Sequence, residues 1–128
     1  MIKDRKLAHI GLAVTDIDAA VQWYTQVLGV QVIGDFHALN GMPVRFLKNG
    51  DLVYEILQPP AGPAAPGKID HIALQSSDIE ADFAYCVAQG YTFQTQGIQE
   101  SPTFWEKGAR FFKLLTPTGE AVEFTQIL

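Results

Sequence analysis

The chain has 128 residues, a formal charge of −5, and a composition that is 48% hydrophobic and 18% charged. This fits one globular domain with a core of its own and excludes a disordered chain. Lys and Arg do not cluster, which argues against a nucleic-acid partner, and no apolar stretch nears the roughly 20 residues that span a bilayer.

From the N-terminus, the basic run Lys3-Asp4-Arg5-Lys6 reads as a solvated end. No apolar signal core follows it, and Cys86 is the sole cysteine, which rules out an internal disulfide. A cytoplasmic protein is expected. An apolar run over residues 6–14 reads as a strand, rich in branched residues and too short for a helix. A helix comes next, entered at Thr15 and Asp18, with Ile17, Val21, Tyr24 and Leu28 on one stripe and Gly29 as its stop. Three strands follow, near 30–39, 42–48 and 51–58. They are divided at Asn40-Gly41 and Asn49-Gly50, the strongest short hairpin signal.

The stretch from Pro59 to Gly67 holds four prolines and two glycines and reads as a linker. Beyond it the pattern begins again. His9-Ile10-Gly11-Leu12 and its continuation to Asp16-Ile17-Asp18-Ala19 recur 62 positions later as His71-Ile72-Ala73-Leu74, running to Asp78-Ile79-Glu80-Ala81. Arg45-Phe46-Leu47-Lys48 recurs as Arg110-Phe111-Phe112-Lys113, and each copy closes on an apolar run holding one glutamate, Glu55 or Glu123. The second copy therefore predicts a strand over 68–76 and a helix with Ser77 and Glu80 as a capping box. Ile79, Phe83 and Val87 form its stripe and Gly90 its stop; strands follow near 91–99, 109–115 and 120–127. Pro117-Thr118-Gly119 reads as the last turn, and Cys86 as a small core residue of the helix. The fold class is α+β: a single domain over 1–128, made of one βαβββ module at 1–59, a linker at 60–67 and a second module at 68–128.

Strand side chains alternate between faces. His9 shares a face with Gly11 and Ala13, and His71 with Ala73 and Gln75, opposite the long apolar residues that suit a helix-covered face. An ionised glutamate between apolar strand residues is costly unless it is paired or metal-bound. Here two glutamates and two histidines stand at matched places. Two imidazoles and two carboxylates suit one divalent ion: Zn, Ni, Co, Mn or Fe. His9, Glu55, His71 and Glu123 are thus the candidate metal ligands. Arg45 and Arg110, on equivalent penultimate strands, are candidate clamps for a substrate anion or, alternatively, members of outward ion pairs. Gln75 follows His71 on the same face and is a further candidate contact. The segment Glu100–Gly108 has no counterpart in the first copy; its Phe104 and Trp105 are candidates for a lid. His37 has no repeat partner and reads as a surface residue.

The paired βαβββ copies, the H…E…H…E order, and Trp23-Tyr24-Thr25-Gln26-Val27-Leu28-Gly29 at a helix end resemble the vicinal oxygen chelate superfamily. That group includes glyoxalase I, methylmalonyl-CoA epimerase, extradiol dioxygenases and bleomycin-binding proteins. The resemblance covers essentially the whole chain. It implies a curled mixed sheet around a metal site, built within one chain or across a homodimer. It is closest in pattern to glyoxalase I: a metal-dependent lyase or isomerase that abstracts a proton alpha to a carbonyl of a small-molecule substrate and stabilises a metal-bound enediolate. Glu123 is then the first choice of base and Glu55 the second. An epimerase, an extradiol dioxygenase, and a binding protein without turnover stand as alternatives.

Overall fold

The computed structural model describes residues 2–62, 69–115, 117 and 121–128. Most of the expected linker (63–67), the predicted strand starts at 68 and 120, and Thr118-Gly119 of the last turn lie outside them. In chain order the elements are β1 Leu7–Ala13, α1 Ile17–Leu28, β2 Gln31–His37, β3 Pro43–Asn49, β4 Leu52–Leu57, β5 Ile69–Gln75, α2 Ile79–Ala88, β6 Gln99–Ser101, β7 Ala109–Leu115 and β8 Ala121–Ile127. The protein is α+β, with the βαβββ order in each half, as the repeat predicts.

The chain forms two compact units: His9–Asp70, and Met1–Ala8 together with His71–Leu128. In the first, the strands run in the order β2-β3-β4-β1, with β1 parallel to β4 and the other pairs antiparallel. The bend between β2 and β3 is the predicted Asn40-Gly41 turn. Gly41 sits at φ +86°, and the Asn40 side chain accepts from the Met42 N–H at 3.0 Å. One face of this sheet carries Leu47 and Ile56, which pack with Ile17 and Val30 and, less deeply, with Val21 and Tyr24 of α1. Leu28 ends the predicted stripe but is exposed.

The second unit repeats the plan in the order β5-β8-β7-β6, with β5 parallel to β8. Its core is Ile79, Cys86, Phe112 and Phe124, flanked by Phe83, Phe93 and Leu114. The Phe112 and Phe124 rings stack at 4.9 Å. Cys86, not Val87, is the third residue of the α2 stripe, and Val87 is exposed. The burial of Asp82 and Cys86, one helical turn apart, explains the shift.

Three further expectations are corrected. The helix N-caps are Asp16 and Asp78, whose side chains accept from Ala19 and Ala81 N–H; Thr15 and Ser77 sit one residue too early. A second acceptor supports each start. Gln58 Oε1 takes the Ile17 N–H at 2.9 Å, and Gln126 Oε1 takes the Ile79 N–H at 3.0 Å. A long strand over 91–99 is replaced by the short β6 and one bridge, Phe93 to Leu114. Between them the chain turns, Gln94 N–H donating to Lys113 O and Lys113 N–H to Thr95 Oγ. Finally, Arg5 is not part of a solvated end but is bound to Asp82. Among the described residues no helix is long and apolar enough to cross a membrane.

Candidate functional site

Each unit holds one buried histidine–glutamate pair, and the sheet register explains how each forms. Residues opposite one another on paired strands project to the same face. Gly11 lies beside Glu55, and Ala73 beside Glu123. His9 and His71 stand two residues earlier on those strands, on the same face and diagonal to the carboxylates. A glycine or alanine directly beside the glutamate leaves room for the imidazole to lean across. His9 Nε2 lies 3.5 Å from Glu55 Oε1, and His71 Nε2 lies 3.3 Å from Glu123 Oε2. All four residues are buried, His71 to 2% exposure. Phe46, directly across from Glu55, sets its ring edge-on to His9 at 5.4 Å and fixes that imidazole from the side.

The spacing of these donors is informative. Two ligands about 2.1 Å from one ion stand roughly 3.0 Å apart at a right angle and about 3.4 Å apart at the tetrahedral angle. A charge-assisted N–H···O bond is shorter, about 2.8 Å. Both separations match two ligands of one ion better than a tight ion pair. The donor set, imidazole nitrogen with carboxylate oxygen, fits a borderline divalent metal.

The other candidates sort by face. Arg45 lies opposite Asp35 and Ile56, and its Nη1 meets Asp35 Oδ1 at 3.1 Å. Arg110 bonds Glu80 of α2 at 2.6 Å and Glu100 of β6 at 2.9 Å. The bond from Glu80, then that from Glu100, raises the pKa of its guanidinium. Both arginines are candidate substrate clamps or outward ion-pair residues. In the structure these carboxylates engage them on the helix-covered faces, opposite the histidines. Gln75 keeps the face of His71, two residues on, and its amide reaches Leu7 O at 3.5 Å. In the 100–108 segment Phe104 is buried, while Trp105 is partly exposed and held at φ +55°, a conformation rare for an aromatic residue. His37 is exposed at the end of β2.

One neighbour of the site escaped the sequence reading. Lys113 pairs directly with Glu123 across β7 and β8, and its Nζ lies 3.7 Å from Glu123 Oε2. The repeated Arg-Phe-x-Lys motif hid it. That motif recurs 65 positions on, whereas the glutamate recurs 68 positions on. Counted from the glutamates, the counterpart of Lys113 is Phe46, not Lys48.

The sequence matches the Glyoxalase/Bleomycin resistance protein/Dioxygenase superfamily over residues 6–124. The chain belongs to this superfamily. It is 30% identical over 127 residues to the uncharacterized protein YwbC of Bacillus subtilis (strain 168), covering 95% of this chain and 98% of that one. Among solved structures, a hypothetical protein from Bacillus halodurans C-125 shares 26% identity at a TM-score of 0.74, covering 98% of this chain and 96% of its own. Methylmalonyl-CoA epimerase from Mycobacterium tuberculosis superposes at a TM-score of 0.78 with 19% identity, covering 100% and 93% of the two chains, and so shares the fold. The superfamily spans glyoxalases, epimerases and dioxygenases, and many of its members are enzymes that use a divalent metal on small molecules.

Proposed function

We propose that this protein is a metal-dependent lyase or isomerase of the glyoxalase I type, removing a proton beside a carbonyl of a small substrate and returning it elsewhere. The observation that carries the reading is the pair of buried His–Glu couples at equivalent places, each spaced as two ligands of one ion. In this reading His9, Glu55, His71 and Glu123 together hold one divalent ion, of Zn, Ni, Co, Mn or Fe. Bound there, such an ion supplies Lewis acidity that stabilises negative charge on substrate oxygens. Glu123 takes the proton on a carboxylate oxygen as general base, and Glu55, its counterpart, is the second choice. His9 and His71 hold the geometry, with Phe46 buttressing His9. Gln75 and Trp105 serve as substrate contacts. The protein acts in the cytoplasm as a homodimer, a reading supported by the single buried cysteine for the compartment and by the family resemblance for the dimer.

Epimerisation is the second reading, favoured by the presence of two matched carboxylates. One base can remove the proton and the other can return it to the same carbon from the opposite side.

The test combines metal analysis with proton exchange. Purified protein is assayed for bound metal beside His9→Ala and His71→Ala, and incubated in D₂O with a panel of α-hydroxycarbonyl compounds followed by NMR. One metal per chain, lost in both variants, with deuterium incorporation abolished in Glu123→Gln, supports the proposal. Protein that takes up none of the five metals, or a metal-loaded protein that exchanges no proton on any compound, overturns it.

A further inference from the structure

The two copies of the βαβββ frame differ where the helix ends against its own sheet. In the first, Tyr24 of α1 lies against Tyr54 of β4, ring centroids 5.1 Å apart, and Val30, just past the helix, is 4% exposed. Each has an equivalent in the second copy. Tyr24 and Cys86 stand at the same place in their helices, seven residues after Ile17 and Ile79. Tyr54 pairs with Ile10 and Leu47, and Val122 with Ile72 and Leu114. Val30 recurs 62 positions on as Thr92, which is exposed, and α2 has 10 residues where α1 has 12. Two phenol rings and a buried valine thus give way to a thiol, an isopropyl group and an exposed threonine. The second copy has rings of its own, Phe83, Phe93, Phe112 and Phe124, but they pack on one another. A cavity of about 750 Å³ stands at this place, with Leu74, Leu114, Val122 and Phe124 as its sheet wall, Ile2 beside them, and Tyr91 and Thr92 exposed at it. Leu74 and Val122 alternate with Ala73 and Glu123, so the cavity lies on the face of this sheet opposite the His71–Glu123 pair.

We propose that this cavity is a second ligand site, separate from the metal reading above, and that it takes a small, neutral, mainly apolar molecule carrying an aromatic ring. Three features fix the class. None of the described residues that line the cavity is charged, so an ion would lose water there without gaining a partner. The main chain beside it is already bonded, Leu115 N–H to Thr92 O at 2.9 Å and Tyr91 N–H to Cys86 O at 3.2 Å, so the walls ask for few hydrogen bonds from a ligand. The first copy also shows what the same frame encloses when the chain fills the place itself: the rings of Tyr24 and Tyr54. An apolar cavity of this size is better filled by an apolar molecule than by water, which needs several polar partners.

The test uses two neutral probes: 4-methylphenol, which is the tyrosine side chain as a free molecule, and the fluorophore N-phenyl-1-naphthylamine. Wild type labelled at Leu and Val methyl groups is titrated with 4-methylphenol and followed by NMR. The fluorophore is titrated into wild type, Val122→Tyr, which restores the residue of the first copy, Leu114→Phe, and Trp23→Ala, which removes an exposed ring from α1, with circular dichroism recorded for each. Saturable methyl shifts centred on Leu74, Leu114 and Val122 are expected, with 4-methylphenol displacing the fluorophore. Both filled variants are expected to bind the fluorophore about tenfold more weakly or worse, and Trp23→Ala to bind it as wild type does. Methyl shifts that are absent, or centred elsewhere, overturn the site. So do folded Val122→Tyr and Leu114→Phe proteins that bind as tightly as wild type, or binding that is lost in Trp23→Ala. If neither filled variant folds, the methyl shifts of wild type decide the question by themselves.

Discussion

Arg5 grips Asp82 through two bonds across 77 positions of sequence, Nη1 to Oδ2 at 2.7 Å and Nη2 to Oδ1 at 2.6 Å. Ser76 Oγ donates a third bond to Asp82 Oδ2 at 2.6 Å. The carboxylate is buried in α2, and its bond to Arg5 raises the pKa of the guanidinium. Lys6 O also accepts the Gln75 N–H at 2.9 Å, so the N-terminal residues are held to the unit of residues 71–128 by side chain and backbone alike.

The two partners are unequal in what they leave behind. Without Arg5, the buried carboxylate keeps, among the described residues, the bond from Ser76; without Asp82, Arg5, whose side chain is 25% exposed, can turn to water. Arg5→Ala is expected to destabilise by about 3 kcal/mol and Asp82→Ala by about 2 kcal/mol. The double variant should cost little more than Asp82→Ala alone. Urea unfolding of the four proteins measures this, and strictly additive losses would sink the account.

Binding of a metal to the native state alone raises its stability by an amount set by concentration over dissociation constant, about 4 kcal/mol at a thousandfold excess. Added zinc or manganese is therefore expected to raise the melting temperature by several degrees in wild type and by much less in His71→Ala, with a chelator reversing the gain. Equal shifts in both proteins would point to binding elsewhere.

Gly108 sits at φ +85°, and a Cβ there would stand 3.0 Å from Pro102 Cα and 3.2 Å from Ser101 O. Its carbonyl also accepts the Leu128 N–H at 3.0 Å. Gly108→Ala combines backbone strain with a clash against main-chain atoms that have little room to yield. It is expected to cost about 2–3 kcal/mol and to change the fluorescence of the nearby Trp105. A melting temperature within a degree of wild type would show that this turn is softer than its geometry implies.

Cys86 is fully buried, and desolvation, with Asp82 adding and Arg5 opposing, pushes its thiol pKa up from the ordinary 9.0. A pKa raised on folding means that the thiol contributes stability at and below neutral pH, and that this is lost as pH climbs past 9.0 toward the folded value. Native protein at pH 8 should resist aromatic disulfide reagents and react promptly once unfolded in urea. Cys86→Ala should flatten part of the alkaline decline in stability. Rapid labelling of the native state would overturn the buried placement.

The duplicated halves, the βαβββ order and the His and Glu residues that form the two pairs are all legible in the chain. Alternation along a strand, helical stripes and Asn-Gly turns act over a few residues, and an internal repeat marks what the halves share. Even the small residues beside each glutamate, Gly11 and Ala73, are visible as neighbours of His9 and His71. What only the tertiary structure decided is register and long-range pairing. The register of β7 against β8 put Lys113 across from Glu123 and set Arg110 beside Glu80 and Glu100, partners that its motif does not name. Arg5 found Asp82, and Gln58 and Gln126 found the helix starts, over separations that no local pattern records. A strand's own residues say which of them share a face; which strand residue each one meets depends on turn lengths and on the burial of the partner, and that is settled only when the sheet is assembled.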